Sequence, residues 1–318
     1  VVRHAAPFLC ALAARPARCP VALAAVAGPA RCLLALAAAT LAAPLPASAQ
    51  FPAGFDAAWE RTTDAWREQV ASSGVVGASL GLVRDGELVR LEVQGMAELA
   101  TKRAVDRETI YHWASITKTF TAVSLLQLRD RGLLSLDDPI VRYVPELRDV
   151  HNPFGPMEGI TLRHLLSHSA GFRGGTWPWS EGEDWEPYEP TEWSQLVAMM
   201  PYTRILFRPG SKFSYSNPGI IFLGRVIEKV TGDVFEAYVD KNIFRPLGMH
   251  RAYFDNTPYH LLPFRSNHYF VRDGIPQEGG LDFNTGVTVS NGGLNAPIPD
   301  MARYLGFIMG SPPDGVDG

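Results

Sequence analysis

Two β-rich runs, residues 75 to 83 and 87 to 95, stand on either side of Asp85-Gly86, and this pair constrains the fold more than any other feature of the chain. Asp-Gly is a turn pair that accepts two consecutive left-handed residues, so the runs read as an antiparallel hairpin. Beyond it the pattern is mostly helical. Residues 115 to 131 carry Phe120, Val123, Leu126 and Leu128 and end before Gly132, and a short helix runs from Thr161 to about His168. Thr191 is placed to cap a helix that ends near Pro201. Ile220 to Val230 form an apolar helix closed by Gly232, and further helices cover about Val234 to Asn242 and Pro299 to Met309. Ahead of the hairpin, Phe55, Trp59, Trp66 and Val70 mark one face of a helix that ends at Ser72-Ser73-Gly74. Strands early and helices in the middle exclude alternating βαβ units and predict a segregated α+β domain.

The first 49 residues stand apart. They hold all three cysteines, Cys10, Cys19 and Cys32, and four of the 29 bases, Arg3, Arg15, Arg18 and Arg31, with no acid. An apolar run from Cys32 to Ala43, then Pro-Leu-Pro and Ala47-Ser48-Ala49, reads as a leader and signal peptide over residues 1–49, followed by the folded domain over 50–318. The run of about 12 residues is too short to span a bilayer, so the mature chain is expected to be exported, periplasmic or secreted. Beyond residue 49 no thiol remains, which excludes disulfides and Cys-ligated zinc there. The same portion carries 25 bases against 33 acids, a net charge of −8. That balance argues against nucleic acid as a partner, because phosphate binding needs a basic face.

Ser115-Ile116-Thr117-Lys118 places a hydroxyl and an amine one helical turn apart on one face, the arrangement of a serine nucleophile with a lysine as proton acceptor. Its position at a helix start adds backbone donors for a developing oxyanion. The alternative is an N-capping serine beside a solvated lysine. Tyr215-Ser216-Asn217 is the chain's single Tyr-x-Asn, and tyrosine can act as a base while asparagine donates to a substrate amide and orients the lysine. Here the alternative is an aromatic turn followed by an Asn cap. Gly77-Ala78-Ser79-Leu80-Gly81 satisfies the Gly-x-Ser-x-Gly elbow but lies inside a strand run rather than at a strand-to-helix turn. His164 and His168 have the spacing of a metal pair, yet Leu165 stands where a zinc protease has Glu, which favours a core or capping role. The segment 176–193 gathers Trp177, Trp179, Trp185, Tyr188 and Trp193 among acids, either as an aromatic lid or as anchors of a surface loop.

Taken in order, the hairpin, His112 to Lys118, Leu133 to Pro145, His164 to Gly171, Pro209 to Asn217, Ile243 to Met249 and Gly292-Gly293-Leu294 before Asp300 to Arg303 resemble the penicillin-recognising serine hydrolases. That family includes class C β-lactamases, D-alanyl-D-alanine carboxypeptidases and related esterases. The resemblance implies a β-lactamase/transpeptidase-like fold with an antiparallel sheet and a mostly helical subdomain at about 113–280. It implies Ser115 as the acylated nucleophile, Lys118 and Tyr215 as bases, Asn217 as a substrate ligand, and neither metal nor cofactor. The substrate would be a small-molecule amide or ester: a β-lactam, a D-Ala-D-Ala peptide or a simple ester. A non-catalytic penicillin-binding or sensor protein using the same cleft is the alternative. The family's third element, Lys or His two positions before Gly, occurs nowhere in the sequence, and the match stops near Gly310. The expectation is therefore a C-terminally truncated chain, inactive by itself, without the last strands and closing helix.

Overall fold

The computed structural model describes residues 51–175, 190–280, 285–313, 315 and 316. Asp85 and Gly86 adopt φ of 51° and 80°, the two left-handed residues of a tight hairpin turn. They join β1 (Gly77–Arg84) to β2 (Glu87–Glu98), paired antiparallel from Gly77↔Gly95 to Arg84↔Glu87 with an irregularity at Leu82/Val83. β2 outruns its expected end and turns to pair with β3 (Arg103–Ala104), which gives the order β1-β2-β3. Helix α1 (Phe55–Ser73) lies on this sheet through an Arg90–Asp56 ion pair of 3.0 Å and stops at Gly74, whose φ of 73° no side-chain-bearing residue adopts as readily.

A second sheet, absent from the sequence-based expectation, carries the site. Its strands are β4 (Ile110–His112), β5 (Tyr253–Phe254) and β8 (Leu294–Pro297), in the antiparallel order β4-β8-β5. At two to four residues each, such strands are too short to show periodicity. A third pair, β6 (His268–Arg272) and β7 (Ile275–Gly280), closes on Asp273-Gly274, again with both residues at positive φ.

Helix α2 (Thr117–Asp130) and helix α5 (Asn217–Thr231) are the centre of the main core. Phe120, Leu125 and Leu128 of α2 and Ile220, Ile221, Leu223, Val226 and Ile227 of α5 are all buried. At about 1.5–3 kcal/mol per large apolar side chain, this pair supplies much of the drive to fold. Around it lie α3 (Leu162–Leu166), α4 (Trp193–Ala198), α6 (Phe235–Val239), α7 (Arg245–Leu247), α8 (Val289–Gly292) and α9 (Ile298–Ile308). Gly224 of α5 faces α8 so closely that a Cβ there would lie 2.3 Å from Ser290 Oγ.

Three helix limits differ from expectation. Glu192, not Thr191, caps α4, because Gln195 Oε1 accepts from both the Thr191 and Glu192 N–H groups. The helix expected to end at Asn242 continues through a π turn (Asp240–Phe244) into α7 and stops at Gly248. Ser115 lies in a 3-10 turn (Ala114–Ile116), and regular helix begins two residues later.

Candidate active site

β4 delivers the chain to the site, where it turns a sharp corner. Ala114 sits at φ 41°, in the left-handed region that costs an L-residue roughly 1–2 kcal/mol. Contacts to β8 hold the corner: the Trp113 N–H donates to Leu294 O at 2.8 Å and its indole N–H to Ala296 O at 2.8 Å. The Thr117 hydroxyl, fully buried, donates to Ala114 O at 2.6 Å and accepts from the Leu294 N–H at 3.1 Å. The corner presents Ser115 to solvent while Lys118, only 9% exposed, turns into the protein.

Lys118 Nζ lies 3.0 Å from Ser115 Oγ and donates to Asn291 O, the carbonyl of an α8 residue, at 2.8 Å. The same α8 backbone is tied to α2 by the Thr121 hydroxyl, which donates to Ser290 O at 2.6 Å. Burial lowers the Lys118 pKa from its ordinary value, and hydrogen bonding and charge interaction with Tyr215 oppose that shift without cancelling it. The ammonium stands 5.0 Å from the centre of the Tyr215 ring. Tyr215 is 42% exposed, so its hydroxyl-bearing ring forms a wall open to solvent.

Asn217 is the first residue of α5, which Ser216 caps by accepting the Gly219 N–H at 3.2 Å. Its own N–H donates to Gly174 O at 3.0 Å, and its Oδ1 is buried without a hydrogen-bond partner among the described residues. Two of the four expected site residues, Ser115 and Tyr215, thus meet at the amine of a third, Lys118. Asn217 stands on the adjoining helix turn, with an acceptor that the described residues leave unused. This arrangement provides an exposed hydroxyl beside an amine biased toward its neutral form, the chemical requirement for an activated nucleophile.

The elbow motif does not form. Ser79 lies within β1 and its hydroxyl is 2.6 Å from Tyr111 OH. His164 completes a capping box at the start of α3, where Nδ1 accepts the Thr161 N–H at 3.2 Å, and no three His, Cys, Asp or Glu side chains among the described residues are grouped to hold a metal. Trp177, Trp179, Trp185 and Tyr188 lie outside the described residues. Trp193 acts as an anchor: its indole N–H donates to Glu146 Oε1 at 3.2 Å and its ring packs on Phe222. Sequence reasoning missed Thr117 and Asn291. A buried threonine in the first turn of a helix was the available signal for Thr117, whereas the Asn291 carbonyl left none.

In this α+β architecture a short sheet thus presents an exposed serine beside a buried lysine. The beta-lactamase family model matches residues 62–315, and the chain belongs to that family. It is 31% identical over 277 residues to Esterase EstB of Burkholderia gladioli, covering 75% of this chain and 67% of the esterase. It is 29% identical over 189 residues to Penicillin-binding protein 4* of Bacillus subtilis (strain 168), covering 58% of this chain and 39% of that protein. The octameric penicillin-binding protein homologue from Pyrococcus abyssi superposes with a TM-score of 0.67 at 32% identity, over 79% of this chain and 56% of that one. The fold is therefore β-lactamase/transpeptidase-like, and the chain spans well under two thirds of the last two relatives.

Proposed function

We propose that this protein is an exported serine hydrolase that cleaves a small-molecule amide or ester through an acyl-enzyme on Ser115. The observation that carries the reading is the 3.0 Å approach of Lys118 Nζ to Ser115 Oγ within a site where burial lowers the lysine pKa. Ser115 Oγ attacks the substrate carbonyl as its proton passes to the neutral amine of Lys118. The C–O bond to Ser115 forms, the leaving group departs with a proton delivered through Lys118 and Tyr215, and water later releases the acid. Asn217 contributes the amide contact to the substrate. A β-lactam, a D-Ala-D-Ala peptide and a small ester all fit this chemistry, and the names of the relatives span an esterase and a penicillin-binding protein. No described helix is long and apolar enough to cross a membrane.

The test is covalent labelling with a fluorophosphonate and a fluorescent penicillin, followed by peptide mapping. The adduct is expected on Ser115, abolished by Ser115→Ala and retained in Ser79→Ala. An adduct on Ser79 overturns the assignment. A penicillin adduct that forms and never turns over identifies the acyl-retaining sensor instead.

A further inference from the structure

His168 is bonded to neither Ser115 nor Lys118, yet it holds the segment that carries Tyr215 from three directions. Its backbone carbonyl accepts the Ser214 N–H at 2.8 Å. Its Nδ1 accepts the Ser216 N–H at 3.2 Å. Its ring lies against the Tyr215 ring, with centroids 4.5 Å apart and planes 31° apart, and meets Phe213 edge-on at 5.7 Å. The residues immediately before and after Tyr215 are thus bonded to one histidine, whose ring backs the tyrosine between them.

The backbone makes the choice of histidine more telling. His168 follows α3 at φ 53°, the left-handed position that ends many helices and that glycine occupies by default. Histidine is among the side-chain-bearing residues that tolerate this region, but a non-glycine residue there marks a constraint beyond closing the helix.

We propose that His168 is the positioning residue for Tyr215, and that it performs this role only as the neutral imidazole with its proton on Nε2. A nitrogen that accepts a backbone N–H carries no proton, so protonating the ring turns Nδ1 into a donor facing a donor. It also sets a second cation toward Lys118, the charged group that faces His168 from α2. His164, four residues earlier, is turned to the Thr161 cap. Burial, with Lys118 adding to it, lowers the His168 pKa from the usual 6.5, which keeps the clamp closed at neutral pH and lets it open in acid.

The inference rests on the hydrolase reading for its kinetic consequence but not for its structural one, and the experiment separates the two. The rate of Ser115 modification by a fluorophosphonate is followed against pH for the full chain and for His168→Gly, His168→Asn and Tyr215→Phe. Side-chain NMR of labelled histidine and tyrosine follows the same proteins. His168→Gly keeps the left-handed backbone and removes the side chain, so it should lose as much rate as Tyr215→Phe, a factor of order 10², and the double variant should lose no more. His168→Asn offers Oδ1 in place of Nδ1 and should stay within about tenfold of the parent, since only the ring contact is lost. It should also lack the additional limb below pH 6.5, where the parent falls more steeply than the titration of Lys118 alone requires. NMR should find the Nε2–H tautomer at neutral pH and Tyr215 ring signals that shift with the His168 titration. An Nδ1–H tautomer, the same additional limb surviving in His168→Asn, or losses that multiply in the double variant would overturn the proposal. Undiminished labelling of Ser115→Ala would remove the hydrolase reading alone, and the coupled NMR titration would still decide whether the clamp exists.

Discussion

Replacing Thr117 by valine keeps the shape of the side chain and deletes one hydroxyl, and the structure allows the cost to be worked out. That hydroxyl makes two bonds and is fully buried. The Ala114 carbonyl retains a partner, because the Thr117 backbone N–H also reaches it, so there only a typical net hydrogen bond of about 0.5–1.5 kcal/mol is lost. The Leu294 N–H, by contrast, loses its hydroxyl partner without water to replace it, which costs about 1–3 kcal/mol. The sum, about 1.5–4.5 kcal/mol, is a large part of the roughly 5–15 kcal/mol that ordinarily separates a folded domain from its unfolded chain. Urea unfolding should show it as a lower midpoint with an unchanged slope. Thr117→Ser keeps both bonds and gives up one methyl, so it should cost about 1 kcal/mol. The corner at Ala114 relaxes once its tie is cut, and a nucleophile displaced by about 1 Å acylates about 10²-fold more slowly. A loss below about 1 kcal/mol in Thr117→Val, or an equal loss in Thr117→Ser, would refute the idea that the hydroxyl holds the corner.

Burial favours the neutral amine of Lys118, so the rate of Ser115 modification should rise with pH to a midpoint below 10.5, and Lys118→Ala should acylate at least about 10²-fold more slowly across that range; a midpoint at or above 10.5 would contradict the buried-amine reading. Gly224→Ala would drive a methyl into Ser290, and overpacking of this kind costs about 1–3 kcal/mol. Thermal unfolding should register that loss together with slower acylation, since α8 moves with the carbonyl that binds Lys118, whereas an unaffected melting temperature would show that the two helices separate freely.

The elements read most readily from sequence are those whose signal is local. Asp85-Gly86 set the first hairpin, and α5 announced itself by seven large apolar residues before Gly232. The second hairpin carries the same Asp-Gly pair at 273–274 but a weaker signal, because the run after the pair holds Pro276, Gln277 and Glu278 rather than β-branched residues. The β4-β8-β5 sheet could not be read at all: its outer strands, β4 and β5, lie more than 100 residues apart in the chain, and all three are too short for periodicity to develop. Ser115, Lys118 and Tyr215 were legible because reactive side chains recur at fixed spacing. The left-handed Ala114, the Thr117 tie and the His168 clamp were not, since each depends on which backbone group a distant strand or loop brings near.

The acceptor that fixes Lys118 belongs to the main chain, and every amino acid type would supply it at position 291. Variation at that position should therefore be nearly silent, although it touches the most important amine in the site. The restriction falls instead on residues that never meet the lysine. Gly224 leaves no room for a side chain beside Ser290, and a Cβ on Gly293 would lie 2.6 Å from Asp255 Oδ1 and 2.8 Å from Val289 Cγ2. A map of tolerated substitutions would thus show a permissive contact flanked by intolerant glycines, so that drift among descendants of this sequence would record the route of the chain through the site more faithfully than the identity of what lines it.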